Sequence, residues 1–185
     1  ESYEASADAA TWTFKLRKGV EFHNGKTMDA DDVIASINHH RGEDSKSAAK
    51  GLLTPIKDIK KADKNTVVFE LDSGSGDWPF IMSDYHLPIL PNKDGKMDWQ
   101  SEAATGGYII EIYDPGVRFL AKKNPNYWKE GRGHFDSIEN ISIIDTTARQ
   151  NAAMNGDVDT IGRCDPQTVH LLERVDTLKI LEVTG

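Results

Sequence analysis

With 185 residues, of which 38% are hydrophobic and 8% aromatic, the chain has enough apolar surface to bury a core unaided, which becomes comfortable above about 100 residues. That composition excludes an intrinsically disordered tract, and no run reaches the roughly 18 apolar residues of a membrane helix. A formal charge of −8, with Lys and Arg scattered along the chain, disfavours nucleic acid as a partner.

Thr11 to Arg17 alternates Trp12, Phe14 and Leu16 against Thr13, Lys15 and Arg17, which predicts a half-buried strand. Val20 to His23 reads as a short second strand, and Asn24-Gly25 as a turn of residues that tolerate positive φ. Asp29 stands where a helix N-cap belongs, followed by Ala30, Val33, Ile34 and Ile37 at helical spacing up to about Arg41, with Gly42 as the stop. The acidic residues Asp31 and Asp32 complement the dipole of the first turn and are expected on solvated surface.

Ser45 to Leu53 is a weaker helical segment, and Pro55–Lys61 with Thr66–Leu71 predicts a hairpin about a polar turn. Asp77-Trp78-Pro79-Phe80 predicts a short helix to about Ser83, with Pro near its first turn. Pro88, Pro91, Gly95, Gly106 and Gly107 break regular structure and place a boundary near residues 92–100. Beyond it, Tyr108–Tyr113 and Val117–Lys122 flank the turn Asp114-Pro115-Gly116, and Ile138–Ile144 is a further strand. A helix capped by Asp145 and closed by Asn155-Gly156, a strand Val158–Ile161, a helix opened by Asp165-Pro166 and a strand Leu178–Val183 complete a mixed α/β pattern.

Chemical motifs are few. Neither G-x-x-x-x-G-K-[ST] nor G-x-G-x-x-G occurs, and Ser75 between Gly74 and Gly76 lacks the spacing of a hydrolase elbow. Adjacent His39 and His40 project roughly 100° apart on a helix, and Gly42 interrupts the face that His39 would share with Glu43, so no metal site is assigned. Cys164 is the single cysteine and reads as a small packing residue rather than a nucleophile. No catalytic residues and no cofactor are assigned.

Three stretches together resemble the family-5 extracellular solute-binding proteins, receptors of ATP-driven importers. The first runs from Trp12 through Lys26 and is followed by Asp29-Ala30-Asp31-Asp32-Val33. The second pairs Ala104-Thr105-Gly106-Gly107-Tyr108 with Asn124-Pro125-Asn126-Tyr127-Trp128, similar to the family's G-T-G-P-Y and N-P-x-Y-W elements. The third joins Asp145-Thr146-Thr147-Ala148-Arg149 to Gly156-Asp157-Val158-Asp159. The chain departs from the family pattern at Gly107, where Pro is usual, which loosens the loop.

The resemblance implies a partial periplasmic-binding-protein-like lobe of mixed α/β class, type II and of the peptide-receptor kind, with an extra α+β subdomain. Residues 1–95 would form that subdomain and 96–185 part of the first main lobe of a longer receptor. It implies capture of a peptide or similar small solute in a cleft between lobes, delivery to an inner-membrane ABC permease, and a periplasmic or extracellular location; the alternatives are a hydrolase-like enzyme domain or a non-transport sensory or interaction module on the same fold. The chain starts at Glu1 without a leader, so a secretory signal in the gene is expected to lie outside it. The expected ligand contacts are Thr105, Gly106, Gly107 and Tyr108, with Tyr85 and His86; turn geometry and aromatic packing are the alternative roles for the same residues. Trp12, Tyr127 and Trp128 are assigned to packing.

Overall fold

A computed structural model describes residues 1–183. The chain divides into two compact units, one of residues 1–111 and 121–138, the other of residues 112–120 and 139–185. These units cross the division expected at residues 95/96, because the strand pair that follows residue 107 contributes to both.

In the first unit, β1 (Ser2–Ala5), β2 (Thr11–Lys15), β3 (Ile56–Asp63) and β4 (Thr66–Leu71) form an antiparallel sheet in the order β1-β2-β4-β3. Strand β4 shows why it is central: Val67, Phe69 and Leu71 are buried while the residues between them are partly exposed, the period-2 pattern of a strand with one packed face. Helix α1 (Ala30–His39) sends Ala30, Val33 and Ile37 into the same core, which Trp12, Ile56, Ile59, Trp78 and Leu87 complete. Phe69 and Trp78 meet with ring centroids 5.8 Å apart. Strand β1, which carries no strong alternation and is exposed throughout, joins the edge by pairing with β2, including Tyr3 opposite Phe14.

Several expected elements take other forms. Val20–His23 is not a strand but one arm of a tight turn: Glu21 bridges Thr27, the Phe22 amide donates to the Lys26 carbonyl at 2.8 Å, and Gly25 sits at φ +82. The segment is too short to make a ladder. Ala48–Leu53 is 3-10 rather than α-helical, with the Ser47 hydroxyl accepting from the Ala49 amide. Helix α2 spans only Trp78–Ile81, and the Asp77 side chain makes no cap bond. Within the expected break, β5 (Asn92–Lys93) and β6 (Lys96–Met97) form a two-residue hairpin, followed by a 3-10 turn at Trp99–Ser101.

Strands β7 (Tyr108–Asp114), β8 (Arg118–Lys123) and β9 (Ser137–Ile141) make a three-stranded sheet in that order. Helix α3 (Thr146–Asn155) begins with the Asp145 carboxylate accepting from the Ala148 amide and ends at left-handed Gly156, as the capping residues predict. Helix α4 is limited to Val169–Leu172, after a turn at Asp165. Neither Val158–Ile161 nor Leu178–Val183 forms a strand; a strand needs a neighbour to take its backbone donors and acceptors, and among the described residues none pairs with either segment.

The strongest departure from the sequence expectation is Asp32, which is fully buried rather than on solvated surface. Its Oδ1 accepts from the Lys26 ammonium and from the Asn92 amide at 2.6 Å, and its Oδ2 accepts from the Asp29 amide at 2.8 Å. One carboxylate thus closes the capping box of α1, holds the 22–27 turn and fixes the start of β5. The neighbouring Ser36 hydroxyl continues the seam, donating to the Leu90 carbonyl and accepting from the Leu90 amide at 3.0 Å. Asp32→Ala leaves two backbone donors unpaired, each hydrogen bond to a charged group contributing about 1.5–3 kcal/mol. We expect urea unfolding to show a loss of about 3 kcal/mol. Lys26→Met takes the counter-charge from the buried carboxylate but leaves both backbone amides on it, and should cost about 1.5 kcal/mol, the low end for a hydrogen bond to a charged group. Equal losses for the two variants would contradict this division of roles.

Candidate functional site

The 104–107 loop is held by side chains from two distant turns of the first unit. The 22–27 turn places His23, whose amide donates to the Ala104 carbonyl at 2.8 Å. Its ring Nδ1 accepts from the Ala104 amide at 3.4 Å, and its Nε2 lies 3.0 Å from the Gly106 carbonyl. Because Nδ1 accepts, the ring hydrogen sits on Nε2 and is donated to Gly106. Asn124, at the end of β8 and only 7% exposed, supplies the second anchor. Its Nδ2 donates to the same Gly106 carbonyl at 3.0 Å, its amide donates to the Gly107 carbonyl at 2.9 Å, and its Oδ1 accepts from the Asn126 amide at 3.0 Å. His23 was not singled out in the sequence; its signal is its place directly before the Asn24-Gly25 turn, which aims it back at the loop.

These anchors determine what the loop offers. In a trans peptide the carbonyl points opposite to the N–H of the following residue, and the chain contains no cis bonds among the described residues. The Ala104 and Gly106 carbonyls face His23 and Asn124, so the amides of Thr105 and Gly107 face the other way. Among the described residues neither amide has a hydrogen-bond partner. Thr105 and Gly107 are half-buried and Gly106 is exposed. The loop therefore offers two backbone donors, the Thr105 and Gly107 amides, while the Ala104, Gly106 and Gly107 carbonyls are already satisfied, and such donors suit the carbonyl or carboxylate oxygens of a ligand.

Gly107 lies outside the left-handed region; a Pro at this position would break no hydrogen bond within the chain but would remove the free amide. An added Cβ there would stand 3.2 Å from the Tyr127 ring, so Tyr127 forms the floor under the loop. Tyr108 begins β7, and its hydroxyl accepts from the Phe135 amide at 3.1 Å; this bond gives the residue a structural partner within the unit.

Tyr85 and His86 occupy the turn after α2. Tyr85 is 84% exposed and its ring lies on His86 with centroids 3.8 Å apart. Asp84 orients that histidine, accepting from its amide at 2.9 Å and lying 2.8 Å from its Nδ1, and the same bonds hold the Asp84 carboxyl below its ordinary value. No hydrogen bond, ion pair or ring contact among the described residues joins this pair to residues 105–108. His39 and His40 meet edge to face at 5.1 Å, and burial pushes the His40 imidazole below its ordinary value, with His39 and His86 acting in the same direction. No cluster of three or more metal-ligating side chains occurs among the described residues.

Asn124→Ala removes one of the two donors to Gly106 and the acceptor for Asn126. We expect hydrogen exchange at the His23 amide, which closes on Ala104, to accelerate by about tenfold, the effect of about 1.4 kcal/mol on local opening. Exchange at His23 indistinguishable from that of the unaltered chain would show that Asn124 does not hold the loop.

The whole chain, residues 1–185, matches the model of the bacterial extracellular solute-binding proteins, family 5 Middle. It is similar to the glutathione-binding protein GsiB of Pectobacterium atrosepticum, at 24% identity over 98% of this chain and 36% of that protein. It is also similar to the dipeptide-binding protein of Escherichia coli K12, at 23% identity over 100% of this chain and 39% of that protein. Its fold matches the periplasmic binding protein DppA of Helicobacter pylori in complex with the peptide STSA, with a TM-score of 0.82 and 23% identity over 95% of this chain and 39% of that one. The chain thus spans between a third and two fifths of the length of these relatives. Its mixed α/β fold is that of a periplasmic binding protein, and the chain belongs to family 5 of the bacterial extracellular solute-binding proteins.

Proposed function

We propose that this chain is part of the substrate-binding component of an ABC importer, which captures a peptide or similar small solute outside the cytoplasm and hands it to an inner-membrane permease. The observation that carries this reading is the anchored 104–107 loop, with its Ala104, Gly106 and Gly107 carbonyls turned onto His23 and Asn124 and its Thr105 and Gly107 amides free. Main-chain donors of this kind bind acceptors common to all peptides without regard to side chains. In this reading Thr105, Gly106 and Gly107 meet the ligand's backbone oxygens and Tyr108 borders them. Tyr85 with His86 offers a stacked, exposed aromatic surface. Residues 1–95 are assigned to the extra α+β subdomain and residues 96–185 to part of the first main lobe, with the remaining lobe supplying the opposite wall of a closing cleft.

The names of the relatives favour peptides over other solutes, since they are a glutathione-binding protein, a dipeptide-binding protein and a binding protein crystallised with a peptide. They likewise favour binding without turnover. The test is thermal unfolding of the full-length receptor with di- to pentapeptides, opines, oligosaccharides and nickel with histidine. A peptide at 100 times its Kd should stabilise the protein by about 2.7 kcal/mol, because it binds the native state alone. Stabilisation by none of these solutes, or hydrolysis of the peptides supplied, would overturn the assignment.

A further inference from the structure

A second surface lies within the first unit, around Trp128. A cavity of about 360 Å³ is lined by Arg17, Trp128, Lys129, Glu130 and Arg132. The Arg17 guanidinium lies 5.0 Å from the centre of the indole ring and the Lys129 ammonium 4.7 Å from it. The indole therefore does more than pack: it holds two cations in place by the attraction of its π face. None of Arg17, Lys129, Glu130 or Arg132 takes part in an ion pair among the described residues, although Lys60, Lys61, Lys122 and Arg118 all do. In a chain of net charge −8, three cations are thus gathered and left without an internal partner, with Glu130 as the one carboxylate beside them.

We propose that this basic notch docks an acidic segment of a protein partner, whose Asp or Glu carboxylates pair with Arg17, Lys129 and Arg132 around Trp128. Trp and Arg are the residues that most often anchor protein interfaces, and a fixed guanidinium fork matches a carboxylate in two-pronged geometry. A small solute fits the site poorly, because all four charged side chains are exposed and a bound small molecule is normally about 70–90% buried. An extended polyanion such as a membrane or a nucleic acid is disfavoured by the acidic remainder of the chain, which repels it once contact spreads beyond a Debye length of about 8 Å. A short acidic segment meets the notch alone.

The probe is a hexaglutamate peptide with acetylated and amidated ends, which lacks the free termini of a transported peptide, titrated into the full-length protein by calorimetry in 20 mM salt. Binding should be weakened by about tenfold at 200 mM salt, and by at least about tenfold in the double variant Arg17→Glu/Arg132→Glu. These exposed, unpaired side chains can be reversed with the fold preserved, as an unchanged circular dichroism melt would verify. A second variant, Trp128→Leu, should weaken binding by releasing Arg17 and Lys129. No binding, or binding insensitive to the charge reversal, would overturn the proposal. So would inorganic phosphate binding as tightly as the peptide, which marks a small-anion site, or capture by anionic vesicles without peptide binding, which marks a membrane site. Because Arg17 and Arg132 take no part in holding the 104–107 loop, the double variant separates the two sites: hexaglutamate binding lost there with peptide-dependent stabilisation retained belongs to the notch, and failure of either result leaves the other standing.

Discussion

The buried carboxylate of Asp32 is the constraint on which the first unit depends. A charge removed from water is tolerable only when its lone pairs are met, and Asp32 is met by a side chain and two backbone amides from three separate segments. Its need for partners thereby fixes the start of α1, the 22–27 turn and the chain at Asn92 relative to one another. The apolar core of Trp12, Ile37, Phe69 and Trp78 supplies most of the driving force for folding, but apolar burial is non-directional. The directional bonds to Asp32 decide which turn lies beside the helix.

That turn carries the consequence onward to function. Fixing residues 22–27 also fixes His23, and His23 with Asn124 orients the peptides of Ala104 to Gly107. A row of free backbone amides is thereby built without a charged side chain or a metal. Such a site suits ligands that share backbone chemistry and differ in their side chains. In the proposed reading the useful groups are main-chain amides, which sequence motifs describe only through the residues that anchor them.

The legible parts of the fold are those decided by local pattern. The alternation of Trp12, Phe14 and Leu16, the Asp29 cap, the hairpins around residues 62–65 and 114–116 and the Asp145 to Gly156 helix all rest on neighbours within a few residues. The parts that escaped depend on distant partners. Strand β1 forms because β2 offers an open edge, Asp32 is buried because Asn92 and Lys26 converge on it, and the stretches at 158–161 and 178–183 lack a pairing strand among the described residues. At the candidate site, the resemblance of residues 104–108 and 124–128 to two family motifs drew attention to a loop that His23 and Asn124 hold. It did not reveal that His23 turns the loop's carbonyls inward, and it assigned Trp128 to packing alone, whereas the indole also holds Arg17 and Lys129.

The central claim is that the Thr105 and Gly107 amides are ligand donors, and amide-resolved hydrogen exchange of the full-length receptor with and without a bound dipeptide addresses it most directly. The account predicts that these two amides, fast in the free protein, slow by at least about tenfold when peptide is bound, while the Asn124 amide, already bonded to Gly107, changes little. Peptide binding that protects other regions and leaves Thr105 and Gly107 exchanging as before would contradict it.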